Sequence, residues 1–422
     1  MKPIRIIFAC TCLLALLLNG CGDQKKTDEN MTEEQMRARA NELAQKFIIT
    51  DGHIDVPYRL KEQGINVNAE NANLLVSTAD GDFDYERAKK GGLDAPFMSI
   101  YIPSSYQSQP DMGKALADSL IDNVRAIVTN LPDKFGLANT PEEVQALFEQ
   151  GKIALPMGME NGAPFGSDLA NVKYFYDRGI RYTTLTHGKD NQICDSSYDP
   201  TGTWGGLSDY GREVVAEMNK VGIMVDISHV DDDTFYQVME LSKAPCIASH
   251  SSCRHFTPGF ERNMNDEMIK KLGENGGVIQ INYGSSFLDS AVVQANKEND
   301  AKLEAMLSDA GVAEDSEEAK PIIEKFRSEN PKQYATLEKV VDHIDHVVQL
   351  AGIDHVGIGT DYDGVGDSLP TGLKDVSSYP NLIFELLKRG YSEEDIEKIC
   401  SKNVFRVWNR VAEVAKELQG GM

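Results

Sequence analysis

The chain has 422 residues, of which 41% are hydrophobic and 26% charged, enough apolar material for one large domain or two ordinary ones. Its formal net charge of -24 argues against nucleic acid and acidic lipid surfaces as partners. Part of that negative charge can be carboxylates that neutralise bound metal ions.

The first residues are predicted to be an export signal and not part of the fold. Two basic residues precede an apolar run from Ile6 to Leu18, a pattern typical of a secretory signal peptide over residues 1–20. Cys21 follows Leu-Asn-Gly, which resembles the bacterial lipobox and predicts lipidation of Cys21, followed by a flexible tether over residues 21–33. We therefore expect a lipid-anchored lipoprotein of the bacterial cell envelope, at the outer membrane or facing the periplasm. A plain signal peptide or an uncleaved anchor is the alternative.

Four of the seven cysteines lie outside the signal and the anchor, namely Cys194, Cys246, Cys253 and Cys400. An exported compartment permits disulfides, but four thiols in a large domain do not make a disulfide scaffold. Their pairing stays open.

Strand-like and helix-like runs alternate along the rest of the chain. Eight runs are apolar and β-prone: Phe47–Asp51, Phe97–Ile102, Ile153–Glu160, Tyr182–His187, Ile223–His229, Cys246–His250, Val278–Tyr283 and Val356–Asp361. Helical patterns cover Met31–Gln45, Met112–Thr129, Thr140–Gln150, Gly211–Val221, Thr234–Leu241 and Asn265–Leu272. This alternation predicts a parallel sheet built from βαβ units. Eight units without a Gly-x-Gly-x-x-Gly turn favour a (β/α)8 TIM barrel over a doubly wound sheet.

One region breaks the alternation. Residues 289–339 are charged and helix-prone, with breaks at Pro321 and Pro331, and they predict a helical insertion between the seventh and eighth strands. The sequence has no internal repeat and no Pro/Ser-rich linker, so we expect a single domain over residues 34–422.

Six of the eight strand-like runs end in a group that can bind a metal or transfer a proton, and four of the eight histidines lie at these ends. These groups are His53 with Asp55, Glu160, His187, His229, His250 and Asp361. The carboxyl ends of the strands form the active site of barrel enzymes, so we expect these side chains to converge. Each of these residues also has a possible structural role: Glu160 can cap a turn, and His229 and His250 can be core histidines bonded to the backbone.

The spacing of these residues indicates a centre with two metal ions. His53 and Asp55 are two apart on a strand, so both point to one side and offer a nitrogen and an oxygen to one ion. A carboxylate such as Glu160 is the simplest bridge between two ions. His229 and His250, on adjacent strands, would complete a second site. His187 is either a further ligand or a neutral donor to a developing oxyanion.

The last strand supplies a candidate acid/base group. Asp361 ends this run and can take a proton from metal-bound water, with Asp363 as its rival two residues on. A ligand set of nitrogen and oxygen suits catalytic Zn²⁺ and does not exclude Mn²⁺, Co²⁺ or Fe²⁺. The prediction from the residues is a binuclear metallohydrolase. The other four histidines are interpreted as structural or exposed: His255, His343, His346 and His355.

Seven short motifs carry a resemblance to a known family. They are Asp-Gly-His-Ile-Asp at 51–55, Gly-Met-Glu-Asn-Gly at 158–162, Thr-Leu-Thr-His at 184–187, Val-Asp-Ile-Ser-His-Val at 225–230, Ile-Ala-Ser-His-Ser-Ser at 247–252, Glu-Arg-Asn at 261–263 and Gly-Ile-Gly-Thr-Asp-Tyr-Asp-Gly at 357–364. In order and spacing the chain resembles the membrane (renal) dipeptidases of the metal-dependent amidohydrolase superfamily, from about Ile49 to Trp408. The resemblance implies a (β/α)8 barrel with two Zn²⁺ ions that hydrolyses dipeptides, with an L- or D-residue at the C-terminal position, through metal-activated water.

The resemblance also implies a role for each site residue. It assigns five ligands in two sets, His53 with Asp55 and His229 with His250, bridged by Glu160. It makes His187 the group that polarises the scissile carbonyl and Asp361 the proton shuttle. Arg262 would bind the substrate carboxylate, a role that comes from the resemblance alone. Homodimers are common in the family, and some members open β-lactam rings.

The chain departs from the family pattern near the seventh strand. The segment after this strand is longer than the family predicts, and Gln280 and the run Tyr283-Gly-Ser-Ser replace a more aromatic one. Because that loop faces the substrate, Tyr283 is a candidate substrate-binding residue, and the preferred side chains stay open.

Two other classes of function are weighed against a dipeptidase. The first is another binuclear amidohydrolase, such as a deaminase, a lactonase or a β-lactam or amide hydrolase. Such enzymes usually begin with His-x-His, and many bridge their metals with a modified lysine on the fourth strand, whereas here that strand ends in His187. The second is a non-catalytic surface lipoprotein, which the complete set of expected ligands argues against.

Overall fold

The computed structural model describes residues 31–421. Within them, eight parallel strands form one sheet in sequence order. We number these strands β1 (Ile49–Ile54), β2 (Leu93–Tyr101), β3 (Met157–Glu160), β4 (Ile180–Thr184), β5 (Met224–Asp226), β6 (Ile247–Ser251), β7 (Val278–Ile281) and β8 (Val356–Ile358). Each of the eight predicted runs overlaps one of them.

The sheet closes between its first and last strands. Ile54 forms a parallel bridge with Tyr362. The backbone N–H of Asp55 donates to the Tyr362 carbonyl at 2.9 Å, and that of Asp361 donates to the His53 carbonyl at 3.1 Å. The predicted (β/α)8 barrel is therefore confirmed, and its closure brings the segments after β1 and β8 to the same rim.

Helices surround the barrel. Those within residues 31–421 are α1 (Glu33–Lys46), α2 (Val56–Glu62), α3 (Tyr85–Gly91), α4 (Pro110–Asn130), α5 (Pro141–Glu149), α6 (Ala170–Arg178), α7 (Asp209–Val221), α8 (Asp232–Leu241), α9 (Asp266–Glu274), α10 (Ser285–Leu288), α11 (Ser290–Asp309), α12 (Lys320–Glu329), α13 (Leu337–Ala351), α14 (Tyr379–Lys388), α15 (Glu393–Glu397) and α16 (Asn403–Gly420). Short 3-10 turns cover Ala72–Leu75, Ser104–Tyr106, Ala163–Phe165, Arg254–Phe256 and Ile353–His355, and a π-helical turn covers Lys398–Lys402. All six helices predicted from the sequence are present, with ends shifted by up to two residues.

The strands are buried on both faces, as expected for a sheet covered by helices. Every residue of β1 is buried, including the charged Asp51. Its carboxylate accepts hydrogen bonds from Thr360 Oγ1 at 2.6 Å and from Tyr379 Oη at 2.5 Å. Asp51 thus ties β1 to the segment after β8 and to α14, and its polar atoms are satisfied inside the fold.

One of the predicted strands is divided into two separate strands in the structure. The run Ile153–Glu160 divides at Pro156, which has no N–H for a sheet ladder. Ile153–Leu155 pairs in parallel with Phe135–Leu137 in a separate two-stranded sheet, and only Met157–Glu160 enters the barrel as β3. The prediction of a single continuous strand here was wrong.

The segment between β7 and β8 is helical, as the sequence predicts. It contains α10, α11 and α12 before α13 returns to the barrel. Helices α11 and α12 have a small apolar cluster of their own, formed by Leu303, Leu307, Ala319 and Phe326. The insertion is therefore held together largely by local packing.

The cysteines of the described residues are buried and free. The predicted signal peptide, Cys21 and most of the tether lie outside the described residues. Among the helices of residues 31–421, none has both the length and the apolar composition needed to cross a membrane.

Candidate metal centre

The rim at the carboxyl ends of the strands brings the predicted ligands together. Overlapping groups of side chains, in each of which the ligand atoms lie within 4.8 Å of one another, include His53, Asp55, Glu160, His187, His229, His250 and Asp361. These are the seven side chains that the sequence predicts at the strand ends. Their convergence follows from the parallel barrel, in which all strands end at one rim.

Glu160 lies at the middle of this cluster. Its Oε2 is 3.4 Å from His53 Nε2. Its Oε1 is 3.0 Å from His229 Nε2 and 3.2 Å from His250 Nε2. One carboxylate therefore presents its two oxygens to imidazoles from opposite sides of the barrel.

The chemistry of this cluster fits a metal ion. His53 Nε2 and Asp55 Oδ1 are buried without a hydrogen-bond partner within residues 31–421. Leaving polar atoms buried and unpaired costs free energy unless something else satisfies them. The donors are imidazole nitrogens and carboxylate oxygens, which are ligands of divalent transition metals.

Further polar side chains orient two of the ligands by contacting the ring nitrogen that faces away from Glu160. Tyr182 Oη is 2.8 Å from His53 Nδ1, and Ser249 Oγ is 2.7 Å from His250 Nδ1. Ser249 in turn donates to Asp226 Oδ2 at 2.6 Å. Such outer partners fix the tautomer and the orientation of a ligating histidine. The sequence analysis did not identify Tyr182, Ser249 or Asp226 as supporting residues. The only signal for them in the sequence is their position on strands next to the ligands.

Burial and neighbouring charges together set the protonation of the ligands. Burial lowers the pKa of His250 to about 3, so this imidazole is neutral, as a metal ligand must be. Burial also opposes ionisation of Glu160, but its interactions with the surrounding histidines, with His53 first among them, outweigh burial and hold its pKa well below the usual range. Glu160 is therefore a carboxylate at neutral pH.

A cavity of about 590 Å³ opens over the cluster. Besides the predicted residues Asp55, Glu160, His187, His229, Asp361 and Asp363, it is lined by Ser286 of the run Tyr283-Gly-Ser-Ser and by groups that the sequence did not single out, among them Tyr58, Tyr101, Tyr198, Phe287 and Ser368. Tyr101 contacts the His187 ring edge to face, with centroids 4.8 Å apart. The cavity thus has a polar floor and partly aromatic walls, as small-molecule sites commonly do.

Asp361 and Asp363 have different environments. Asp361 accepts a hydrogen bond from Asn282 Nδ2 at 2.8 Å, and burial raises its pKa to about 7. Asp363 forms an ion pair with Arg59 at 2.8 Å and accepts from the backbone N–H of Asp82 at 2.6 Å. The second carboxylate is thus held by the fold, whereas Asp361 belongs to the ligand cluster.

Gly364 is needed for this arrangement. A Cβ at this position would overlap Asp361 Oδ1 and Asp55 Oδ2. The glycine therefore lets the two carboxylates approach the same space.

Arg262 lies behind His250. Its guanidinium donates from Nη1 to Ser251 Oγ at 2.6 Å and from Nη2 to the His250 carbonyl at 2.7 Å. It is 3% exposed, and its Nε has no hydrogen-bond partner among the described residues. Burial, followed by the positive charge of Arg262, lowers the pKa of His229.

Tyr283 does not lie at the cavity. It is 1% exposed, and its ring packs edge on against Tyr362 with centroids 6.0 Å apart. The segment after β7 directs this ring into the core, and Ser286 and Phe287 line the cavity instead. The structure therefore corrects the prediction that Tyr283 faces the substrate.

The fold and the cluster together define a metal-dependent hydrolase of the amidohydrolase superfamily. Residues 37–421 match the model of the membrane dipeptidase family, peptidase family M19. The chain belongs to this family, which confirms the resemblance seen in the sequence.

Two curated relatives and one solved structure extend the match over most of the chain. A dipeptidase of Clonostachys rogersoniana, verJ, is 34% identical over 394 residues, covering 90% of this chain and 89% of the relative. An uncharacterised dipeptidase of Schizosaccharomyces pombe is 31% identical over 405 residues, covering 92% and 86%. The crystal structure of the probable dipeptidase PvdM from Pseudomonas aeruginosa has a TM-score of 0.76 at 28% identity, covering 90% of this chain and 100% of that one.

Proposed function

We propose that the chain is a binuclear zinc dipeptidase that hydrolyses dipeptides with either an L- or a D-residue at the C-terminal position. The observation that carries the proposal is the position of Glu160, whose two oxygens face His53 on one side and His229 with His250 on the other. A bridging carboxylate is what a pair of ions requires. The nitrogen and oxygen donors support zinc.

Two sets of ligands would bind the two metal ions. His53 with Asp55 would hold one ion, His229 with His250 the other, and Glu160 would bridge them. Bound zinc supplies Lewis acidity and lowers the pKa of a water molecule toward neutrality.

Two side chains would act on the substrate directly. The His187 ring borders the cavity, and burial lowers its pKa, so a neutral imidazole can donate a hydrogen bond to the oxygen of the scissile carbonyl. Asp361 would accept a proton during attack and return it to the leaving amine. Asn282 holds the Asp361 carboxylate in place for both steps.

The buried Arg262 supports dipeptides as substrates. Within residues 31–421 its hydrogen bonds go to a hydroxyl and a carbonyl oxygen, so no carboxylate pairs with its charge. Burying a cation without a counter-ion is unfavourable. The free carboxylate of a dipeptide would neutralise it, and a guanidinium can bind such a group through two parallel hydrogen bonds.

A dipeptide panel on metal-reconstituted protein tests the proposal. The panel pairs L- and D-residues at the second position and includes tripeptides, a simple lactone and a β-lactam. We expect hydrolysis of dipeptides with about two zinc ions per chain, and little cleavage of tripeptides. Preferential opening of lactones would favour the alternative hydrolases, and a protein without bound metal or activity would favour a binding module.

We also propose that Cys21 is lipidated and anchors the enzyme to the cell envelope. The support is the sequence of residues 1–21, in which a basic start and an apolar run lead to Leu-Asn-Gly-Cys. Mass spectrometry of the membrane fraction tests it, with Cys21→Ala as the variant that should lose the lipid. A soluble wild type with an unmodified Cys21 would contradict the anchor.

A homodimer is the assembly that the family resemblance favours. Light scattering on the purified protein measures its mass directly. A mass corresponding to a single chain across the working concentration range would contradict the dimer.

A further inference from the structure

Four of the eight histidines lie outside the metal centre, and two of these have clear structural roles. His343 is buried; its Nδ1 accepts from the Cys253 backbone N–H at 3.0 Å, and its Nε2 donates to the Leu288 carbonyl at 2.9 Å. His355 donates from Nδ1 to the Gly277 carbonyl at 2.7 Å. These bonds join loops and helices of the barrel. The other two, His255 and His346, lie side by side.

His255 and His346 form a compact group with Asp266. His346 Nε2 is 2.8 Å from Asp266 Oδ1. The rings of His255 and His346 stack with centroids 4.5 Å apart and an angle of 26° between their planes. One ligand atom from each of the three residues lies within 4.8 Å of the other two. His255 is exposed, so solvent reaches the group.

We propose that His255, Asp266 and His346 form a second metal site, separate from the barrel centre, that binds a divalent transition ion such as Zn²⁺. Two imidazoles and a carboxylate are ordinary zinc ligands. Bonds of about 2.0–2.1 Å place tetrahedral ligands roughly 3.3 Å apart. Binding therefore requires His255 to move toward the other two ligands, and His346 and Asp266, which are 2.8 Å apart, to separate slightly. Rotation of the exposed His255 can supply the first movement, and water fills the remaining position. Binding releases to solvent any proton held between His346 and Asp266.

The three ligands come from three different elements. His255 lies in the turn Arg254–Phe256 after β6, Asp266 is the first residue of α9, and His346 is on α13. The segment between the first two ligands carries Arg262. An ion bound here fastens both ends of the Arg262 loop to α13.

The loop is already held by an ion pair to α8 and by internal hydrogen bonds, which the ion would reinforce. Arg254 forms an ion pair with Asp232 at 2.5 Å, and its Nε donates to the Asn263 carbonyl at 2.7 Å. Asn263 Nδ2 donates to Thr257 Oγ1 at 2.7 Å. Besides the His346–Asp266 pair, two hydrogen bonds to α13 join Cys253 to His343 through the backbone and the thiol. The metal site adds a further, reversible attachment to that helix, through His255.

The alternative is an ordinary surface pair of His346 and Asp266. Asp266 begins α9, where a negative charge is favourable beside the helix dipole. Exposed pairs of this kind contribute little to stability. In that case His255 contributes nothing, and added metal has no effect on the loop.

Zinc titration of the zinc-loaded enzyme separates the two alternatives. The variants are His255→Ala, His346→Ala and Asp266→Asn, with His355→Ala as the control that removes a histidine outside the group. Equilibrium dialysis with elemental analysis should find one more ion per chain in the wild type and in His355→Ala. In the other three variants the affinity for that ion should fall at least about tenfold. Because the readout is a difference of one ion, it does not depend on how many ions the barrel centre holds.

Amide hydrogen exchange measures the effect on the loop. With excess Zn²⁺, exchange in residues 254–264 should slow in the wild type and in His355→Ala, and stay unchanged in His255→Ala. The conservative Asp266→Asn variant covers the case in which an alanine variant fails to fold. Equal ion counts in all variants, or no additional ion in the wild type, would overturn the site.

Discussion

The phenol oxygen of Tyr182 on β4 lies 2.8 Å from Nδ1 of His53 on β1. This hydrogen bond crosses the buried interior of the barrel and leaves Nε2 of His53 3.4 Å from both Asp55 and Glu160. When Nε2 binds a cation, Nδ1 keeps its proton and donates it to the Tyr182 oxygen. Tyr182 therefore selects the tautomer in which His53 can act as a ligand.

Tyr182→Phe should weaken metal binding about 10–100-fold, the usual effect of removing an outer partner of a metal ligand. The ring stays, so its packing against Phe97, with centroids 5.5 Å apart, is kept. Competition with a chelator of known affinity measures the change. Metal affinity equal to that of the wild type would mean that Tyr182 does not orient His53.

Tyr283→Phe is the matched control. The Tyr283 hydroxyl is also buried, but it has no hydrogen-bond partner within residues 31–421. Removing an unpaired buried hydroxyl should leave stability unchanged or slightly higher. Metal affinity and dipeptide turnover should also match the wild type, because the ring lies in the core. A specific loss of substrate affinity in this variant would restore Tyr283 as a binding residue.

Glu160→Gln should lose most of the bound metal or empty one of the two sites. The amide keeps the shape of the side chain but has no negative charge to hold two cations. Elemental analysis after dialysis measures the loss. Glu385→Gln is the control. Glu385 is also buried, but it lies on α14 and forms an ion pair with Arg389 at 3.1 Å, so its neutralisation should leave metal content unchanged. Full occupancy by two ions in Glu160→Gln would exclude the bridge.

The main features of the centre could be predicted from sequence because the barrel makes strand ends equivalent. Once His53, Glu160 and His250 are placed at the ends of parallel strands, the topology alone brings them to one rim. Their exact backbone was not predictable. His229 and Asp361 follow their strands in the left-handed region, at φ values of 69° and 63°. Non-glycine residues seldom adopt this conformation, and it occurs often at functional sites.

The supporting residues could not be predicted, and the reason is again geometric. A strand buried on both faces has no polar alternation to show which side chains point inward. Tyr182 and Asp226 therefore look like ordinary strand residues until the barrel is closed. For Tyr283 the error is the reverse, because a structural residue was predicted to be functional. Its position after β7 suggested that it lines the cavity, but the turn that follows directs its ring into the core.

Asp361→Asn should keep its metals and lose about 10²–10⁴-fold in kcat, the usual contribution of a positioned acid or base. Asn282 can still hydrogen-bond the amide oxygen, so the side chain should stay in place. Steady-state kinetics together with metal analysis tests this.

Asp363→Asn provides the contrast for that variant. Asp363 pairs with Arg59, so its neutralisation should lower the stability of the fold more than kcat. A thermal melt and a kinetic assay on both variants separate the two effects. If Asp363→Asn loses kcat and Asp361→Asn does not, the proton is carried by the second aspartate.

Arg262→Ala should lower kcat/KM on a dipeptide by at least about 30-fold with metal content unchanged. Truncating one partner of a buried charge pair typically costs about 2–5 kcal/mol. Arg262→Lys should recover only part of the loss, because an ammonium group cannot form the two parallel hydrogen bonds of a guanidinium.

A dipeptide amidated at its C-terminus decides what Arg262 recognises. This substrate has no terminal carboxylate, so the wild type should cleave it poorly, and Arg262→Ala should cleave it no worse than the wild type does. Arg262 also donates to Ser251 Oγ and to the His250 carbonyl, so its removal could disturb the ligand His250 instead. Such a disturbance would reduce the cleavage of both substrates equally and would lower metal content. A loss confined to the free dipeptide, with both ions retained, would assign the guanidinium to the substrate carboxylate.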